Sequence, residues 1–184
     1  MDAYLGLLRP DTSVLLVVDI QERLLPAIHE GETVLQAAGR MAAAAGALDV
    51  PALLTEQYPK GIGPTCTPLR GHLGDCPPIE KLRFSACVQE VAERLRELDR
   101  QKVIVVGIEA HVCVQQTVLD LLRLGYAPYV CADATGSRRP LDRDTAIARM
   151  RQAGAIVTTT ESVIFELMGE AGTDTFKKVL SIIK

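Results

Sequence analysis

The chain has 184 residues, 48 % of them apolar, and its 20 basic and 23 acidic side chains give a formal charge of −3. That length suits one core-forming domain, and the lack of a basic block standing apart from compensating acids disfavours a nucleic-acid-binding surface. No run reaches the roughly 18 apolar residues of a membrane span, and MDAYLGLLRPDTS, with an acid at position two, lacks the core of a secretory signal.

In chain order, SVLLVVD (13–19) reads as a first strand and ETVLQAAGRMAAAAGALD (32–49) as an alanine-rich helix of high propensity. VPALLTE (50–56) is a second strand, followed by the turn-rich loop QYPKGIGPTCTPLRG. PIEKLRFSA (78–86) has room for a short third strand, and VQEVAERLREL (88–98) repeats Val88, Val91, Leu95 and Leu98 at helical spacing. KVIVVG (102–107), APYVCAD (127–133) and GAIVTTT (154–160) continue the strands. QTVLDLLRLG (116–125), apolar nearly all round, is expected to be a buried helix, and DRDTAIARMRQAG (142–154) a helix closed by glycine.

This alternation predicts βα units: a single doubly wound α/β domain over 1–184, with six mostly parallel strands and helices on both faces. The core is expected over about 12–169 and a helical tail over 173–184. Ligands in such sheets bind beyond the carboxyl ends of the strands, where strand order reverses. Asp19, Lys81 and Cys113 stand at or near three of those ends.

The trio is chemically coherent. A thiol needs help to become a nucleophile, and the start of a helix at Cys113 supplies some of it. Asp19 can take the thiol proton as general base and return it to a leaving amine. Lys81 between them keeps the carboxylate charged and offsets its repulsion of a thiolate. Backbone N–H groups around GIEAH and the first helical turn would face the same spot and hold an oxyanion. Each residue has a plainer alternative: Cys113 as a small core hydrophobe, Asp19 as a cap, Lys81 as a solvated charge.

His29, His72 and His111 do not cluster, so no metal and no cofactor are expected. The five cysteines (66, 76, 87, 113, 131), odd in number and without Cys-x-x-Cys, fit a reduced, cytoplasmic protein.

LLVVDIQ (15–21), EKLRFSA (80–86) and GIEAHVCV (107–114), in this order and on these strands, resemble the isochorismatase-like cysteine hydrolases. ADATGSR (132–138) and RMRQAGAIVTTTESVIFEL (149–167) fit the same pattern, and LLTEQYPKGIGPT (53–65) is similar to the branch of isochorismatase-domain-containing proteins. The resemblance implies a Rossmann-like, isochorismatase-like fold and an Asp19-Lys81-Cys113 triad. It also implies a cis peptide at Ile108-Glu109, with the N–H groups of Glu109 and Cys113 as the oxyanion site. TEQYPKG lacks the Asp-x-His metal motif of nicotinamidases, and true isochorismatases lack the cysteine. The implied activity is therefore metal-independent hydrolysis of a small C–N substrate through a thioester, in a homo-oligomer, with no nucleic acid or membrane as partner. Cys87, where many relatives carry an aromatic residue, reshapes the expected pocket. Gln57, Tyr58, Phe84 and His111 are expected to line it. Two rivals stand: a scaffold protein that kept the fold without the activity, and a redox-responsive protein acting through Cys113.

Overall fold

The structure, a computed structural model, describes residues 6–183. Residues 1–5, the start of the segment read for a secretory signal, and Lys184 at the end of the expected tail lie outside the described residues. Six strands form one sheet: β1 (Ser13–Val18), β2 (Ala52–Gln57), β3 (Pro78–Lys81), β4 (Lys102–Ile108), β5 (Ala127–Gly136) and β6 (Ile156–Thr158). Every neighbouring pair is parallel, and the order is β3-β2-β1-β4-β5-β6. The chain therefore starts at the centre, walks to one edge, then returns to build the other side. Strand order reverses between β1 and β4.

Those two central strands are buried along their whole length, which is why they read as unbroken apolar runs. Alternate residues serve opposite faces. Leu15, Val17, Ile104 and Val106 meet α1 (Gly31–Ala47), α3 (Thr67–Arg70), α7 (Thr160–Met168) and α8 (Asp174–Ile183). Val14, Leu16, Val18, Val103 and Val105 meet α4 (Gln89–Leu98), α5 (Gln115–Arg123) and α6 (Pro140–Gln152). A short α2 (Pro59–Ile62) sits in the loop after β2. The alanines of α1, with Ala37, Ala38, Ala44 and Ala45 buried, form its face in the core.

The short third strand lies within 78–86 as expected, at Pro78–Lys81, with 82–88 an irregular loop, whereas three other elements differ from the sequence expectation. The sixth strand keeps only three residues. β5 runs on to Gly136 because the β4–β5 register shifts between Val105 and Gly107 and then resumes as Gly107↔Thr135 and Ile108↔Gly136. α5 is amphipathic rather than buried all round: it buries Thr117, Val118 and Leu121, whereas Leu124 beyond its end is 46 % exposed. The C-terminal helix folds back on its own chain, with Val179 buried in the core beside α1 and α7. Among the described residues no helix is long and apolar enough to cross a membrane.

Gly107 marks the tightest approach of the two central strands, since a Cβ there would run into the Val18 carbonyl oxygen and side chain. Gly46 in α1 has open space around it. Gly107→Ala is expected to cost about 2–4 kcal/mol, whereas Gly46→Ala should gain about 0.5–1 kcal/mol from helix propensity. Urea midpoints of the two variants against the parent check both signs.

Candidate active site

Asp19 follows β1 in the left-handed region, at φ +54°, a conformation Asp tolerates better than most residues. Its carboxylate is fully buried. Oδ1 accepts a 2.7 Å hydrogen bond from Thr55 Oγ1, and Oδ2 lies 2.6 Å from the equally buried Lys81 Nζ. Lys81 donates to Gln57 Oε1 (2.8 Å), Phe84 O (2.9 Å) and Arg83 O (3.2 Å). The contact with Asp19 Oδ2 is the shortest of the four, and Cys113 also reaches the Asp19 carboxylate.

Cys113 lies in a wide, π-type turn, Ala110–Val114, that leads into α5. It is not at the first turn of an α-helix, as the sequence suggested. Its sulfur is within electrostatic reach of both Asp19 and Lys81, and the Glu109 carbonyl accepts from Val112 N–H (3.1 Å) and Val114 N–H (3.2 Å) on either side of it. Burial pushes the thiol up to about 12, the Asp19 charge adds to the rise, and Lys81 only partly opposes it. Burial also raises the Asp19 carboxyl, against the pull of Lys81. At rest, burial and the Asp19 charge both favour the neutral thiol.

Further hydrogen bonds fasten these parts together. Thr117 Oγ1 donates to Cys113 O (2.6 Å) and accepts from Ala86 N–H (2.7 Å), and Ser85 Oγ donates to Asp120 Oδ2 (2.7 Å). The loop whose carbonyls hold Lys81 is therefore pinned to α5, the helix that follows the turn carrying the cysteine. Gln21 ties the loop after β2 from the other side, accepting from Gln57 N–H (2.8 Å) and donating to Gln57 O and Gly63 O.

The remaining expected site residues separate. Gln57 sits behind the lysine, its amide donating to Leu82 O, so it supports Lys81 instead of presenting an open surface. Tyr58 and Phe84 are half-exposed, and Tyr58 borders a cavity of about 360 Å³ with Pro59, Lys60, Glu80, Lys81 and Leu82. The Ile108-Glu109 peptide is cis. The Glu109 carboxylate is gripped by Arg138, through Nε (2.9 Å) and Nη2 (2.8 Å). Burial alone would push this carboxyl up, but the Arg138 hydrogen bonds outweigh it and hold it below the ordinary glutamate value. His111 Nδ1 is 3.0 Å from Ser137 Oγ, which turns the imidazole toward the end of β5.

Sequence reasoning missed Thr55, Thr117 and Arg138. Only Thr55 left a trace, as a lone hydroxyl in the otherwise apolar ALLT of β2. Among the described residues no three His, Cys, Asp or Glu side chains are grouped to hold a metal ion.

The fold is an open parallel α/β sheet with a cysteine, a carboxylate and a lysine gathered at the carboxyl ends of its strands. The isochorismatase domain model matches residues 13–162, and the chain belongs to the isochorismatase family of hydrolases. It is 42 % identical to isochorismatase domain-containing protein 2A of Mus musculus, over 99 % of this chain and 87 % of the relative. Among solved structures, the MAR1 ribonuclease of Caenorhabditis elegans superposes with a TM-score of 0.93 at 40 % identity, covering 97 % of this chain and 92 % of that one. The YcaC gene product of Escherichia coli, described as an octameric hydrolase of unknown specificity, shares the fold. Its TM-score is 0.89 at 24 % identity, over 96 % of this chain and 90 % of that one.

Removing one member of a buried ion pair leaves the other uncompensated. Lys81→Met is expected to lose about 3–5 kcal/mol near neutral pH. The deficit should narrow as pH falls, because the stranded Asp19 carboxylate takes up a proton and ceases to be a buried charge. Denaturant unfolding of parent and variant at several pH values between neutral and mildly acidic measures this. Thr117→Val, which strands the Ala86 N–H, should cost about 1–3 kcal/mol with little pH dependence.

Proposed function

We propose that the protein is a metal-independent cysteine hydrolase acting on a small amide or related C–N substrate, with Cys113 as nucleophile, Asp19 as general base and acid, and Lys81 as the electrostatic partner of both. The observation that carries this reading is the buried Cys113 thiol beside the buried Asp19–Lys81 pair, whose charged atoms are 2.6 Å apart.

The chemistry follows from that arrangement. As the sulfur attacks the carbonyl carbon, its proton passes to Asp19, whose raised affinity for protons reduces the mismatch between donor and acceptor. The carbonyl oxygen takes the electron pair and is held by the N–H groups of Glu109 and Cys113. Collapse of the tetrahedral species expels the amine, which receives the proton from Asp19 and leaves a thioester. Asp19 then deprotonates a water that attacks the thioester. The acid departs, and the proton returns to the sulfur. Lys81 keeps Asp19 ionised at the start and balances the negative charge that moves between the carboxylate and the sulfur.

A homo-oligomer in the cytoplasm completes the proposal. Five free cysteines suit a reducing compartment. Leu82 (76 % exposed), Phe84 and Tyr58 place an apolar strip beside Lys81 that a second copy would cover. The similar fold of YcaC, an octamer by its description, is in keeping with self-association. The name of the Caenorhabditis elegans relative raises cleavage of RNA instead. The net charge of −3 and the interspersed acids argue against a phosphate-tracking surface.

The test follows acyl transfer to the protein by intact mass and peptide mapping, using p-nitrophenyl acetate and then a panel of amides and carbamates. One acyl group on Cys113 is expected in the parent, with turnover falling about 10³-fold or more in Cys113→Ala. Turnover that survives in Cys113→Ala, or RNA cleavage equal in both proteins without an acyl-enzyme, would contradict the proposal.

A further inference from the structure

Glu109 sets an energetic puzzle. Its carboxylate is buried at the end of β4, beside an apolar core in which a hydrophobic side chain would carry no desolvation cost. Its partner, Arg138, is 59 % exposed in its side chain, and an ion pair with so much solvent contact contributes little to stability. The geometry is nevertheless specific. Arg138 donates through Nε and Nη2 to the two carboxylate oxygens and adds its own backbone N–H to Oε2 at 3.3 Å. A planar fork held at three points restricts orientation more than it adds stability.

What it orients is the residue whose carbonyl accepts from Val112 N–H (3.1 Å) and Val114 N–H (3.2 Å), the two neighbours of Cys113. The mount on the other side is firm. Gly136 pairs with Ile108 in the sheet, and a Cβ on it would meet Ile28 Cγ2 at 2.7 Å and Val34 Cγ2 at 3.0 Å. Ser137 O accepts from His29 N–H (3.0 Å), and Thr135 O accepts from Arg143 Nε (2.9 Å). Ser137 also meets His111. Residues 109 and 111, both ahead of the cysteine, are thus tied to the same two-residue segment at the end of β5.

We infer that Arg138 is a positioning residue for acyl transfer: by clamping the Glu109 carboxylate to the end of β5 it fixes the backbone N–H of Glu109 where the substrate oxyanion forms. The inference rests on the cysteine hydrolase reading above. Neither Arg138 nor the Glu109 carboxylate touches the reacting atoms; both act through the position of one N–H.

Two reactions at the same sulfur separate this role from a general loosening of the fold. Acylation by p-nitrophenyl acetate develops an oxyanion, whereas alkylation by iodoacetamide is a direct displacement at carbon that develops none. In Arg138→Ala the acylation rate of Cys113 is expected to fall about 10- to 100-fold, part of the loss that follows removal of an oxyanion donor. Its alkylation rate, followed on the Cys113 peptide at the same pH, should stay within about twofold. Arg138→Lys, which keeps the charge without the fork, should recover part of the acylation rate. Equal loss in both reactions would overturn the inference by showing a disturbed cysteine, and so would acylation unchanged in Arg138→Ala. A parent protein that is alkylated but never acylated at Cys113 would instead remove the hydrolase reading on which the inference stands.

Discussion

Two opposite charges, Asp19 and Lys81, are held 2.6 Å apart with no solvent contact at the carboxyl end of the sheet, and the rest of the site is arranged around that constraint. Burying them is costly unless every remaining donor and acceptor is used. β2 lies between the strands that carry them and supplies Thr55 to the carboxylate and Gln57 to the ammonium. The ammonium needs two further acceptors, and these come from the carbonyls of Arg83 and Phe84 in the irregular loop after β3. That loop must then be held in place, which Thr117 and Ser85 do by joining it to α5. The polar network thus extends from one charge pair through three elements to the turn that carries Cys113.

The topology explains why these groups can meet. Asp19 leaves β1 and Cys113 follows β4, the neighbouring strands at which strand order reverses, so their loops diverge and leave a crevice between them. The electrostatics of that crevice favour a protonated sulfur at rest. Acidity alone does not set Cys113 apart, since burial pushes Cys66 up to about 11 and Cys87 to about 12 as well. Cys113 differs in its neighbours: the Asp19 carboxylate and the Lys81 ammonium both act on its sulfur. A thiol held this way resists adventitious oxidation, because the thiolate is the reactive form.

Much of this was legible in the chain. β1 and β4 announced themselves as continuous β-branched runs because both their faces are covered, and the strand-end positions of Asp19, Lys81 and Cys113 follow from that reading. The high apolar content of QTVLDLLRLG points to burial all round, but Gln116 and Arg123 turn one face of α5 to solvent. Gln57 looked like pocket lining from its place at the end of β2, but the same position is where a strand between two charged neighbours must supply a hydrogen bond. Thr117 and Arg138 were invisible for a related reason. Their partners, Ala86 N–H and the Glu109 carboxylate, lie about 30 residues away in sequence, and no local pattern specifies such pairings.

Burial and the neighbouring Asp19 charge hold Cys113 as a thiol at rest. The thiolate absorbance in the near ultraviolet, taken as the difference between the parent and Cys113→Ala across a pH titration, measures this directly. With the thiol pushed up to about 12, no step should appear between pH 6 and about 10. A full thiolate step below about pH 8 would contradict the account.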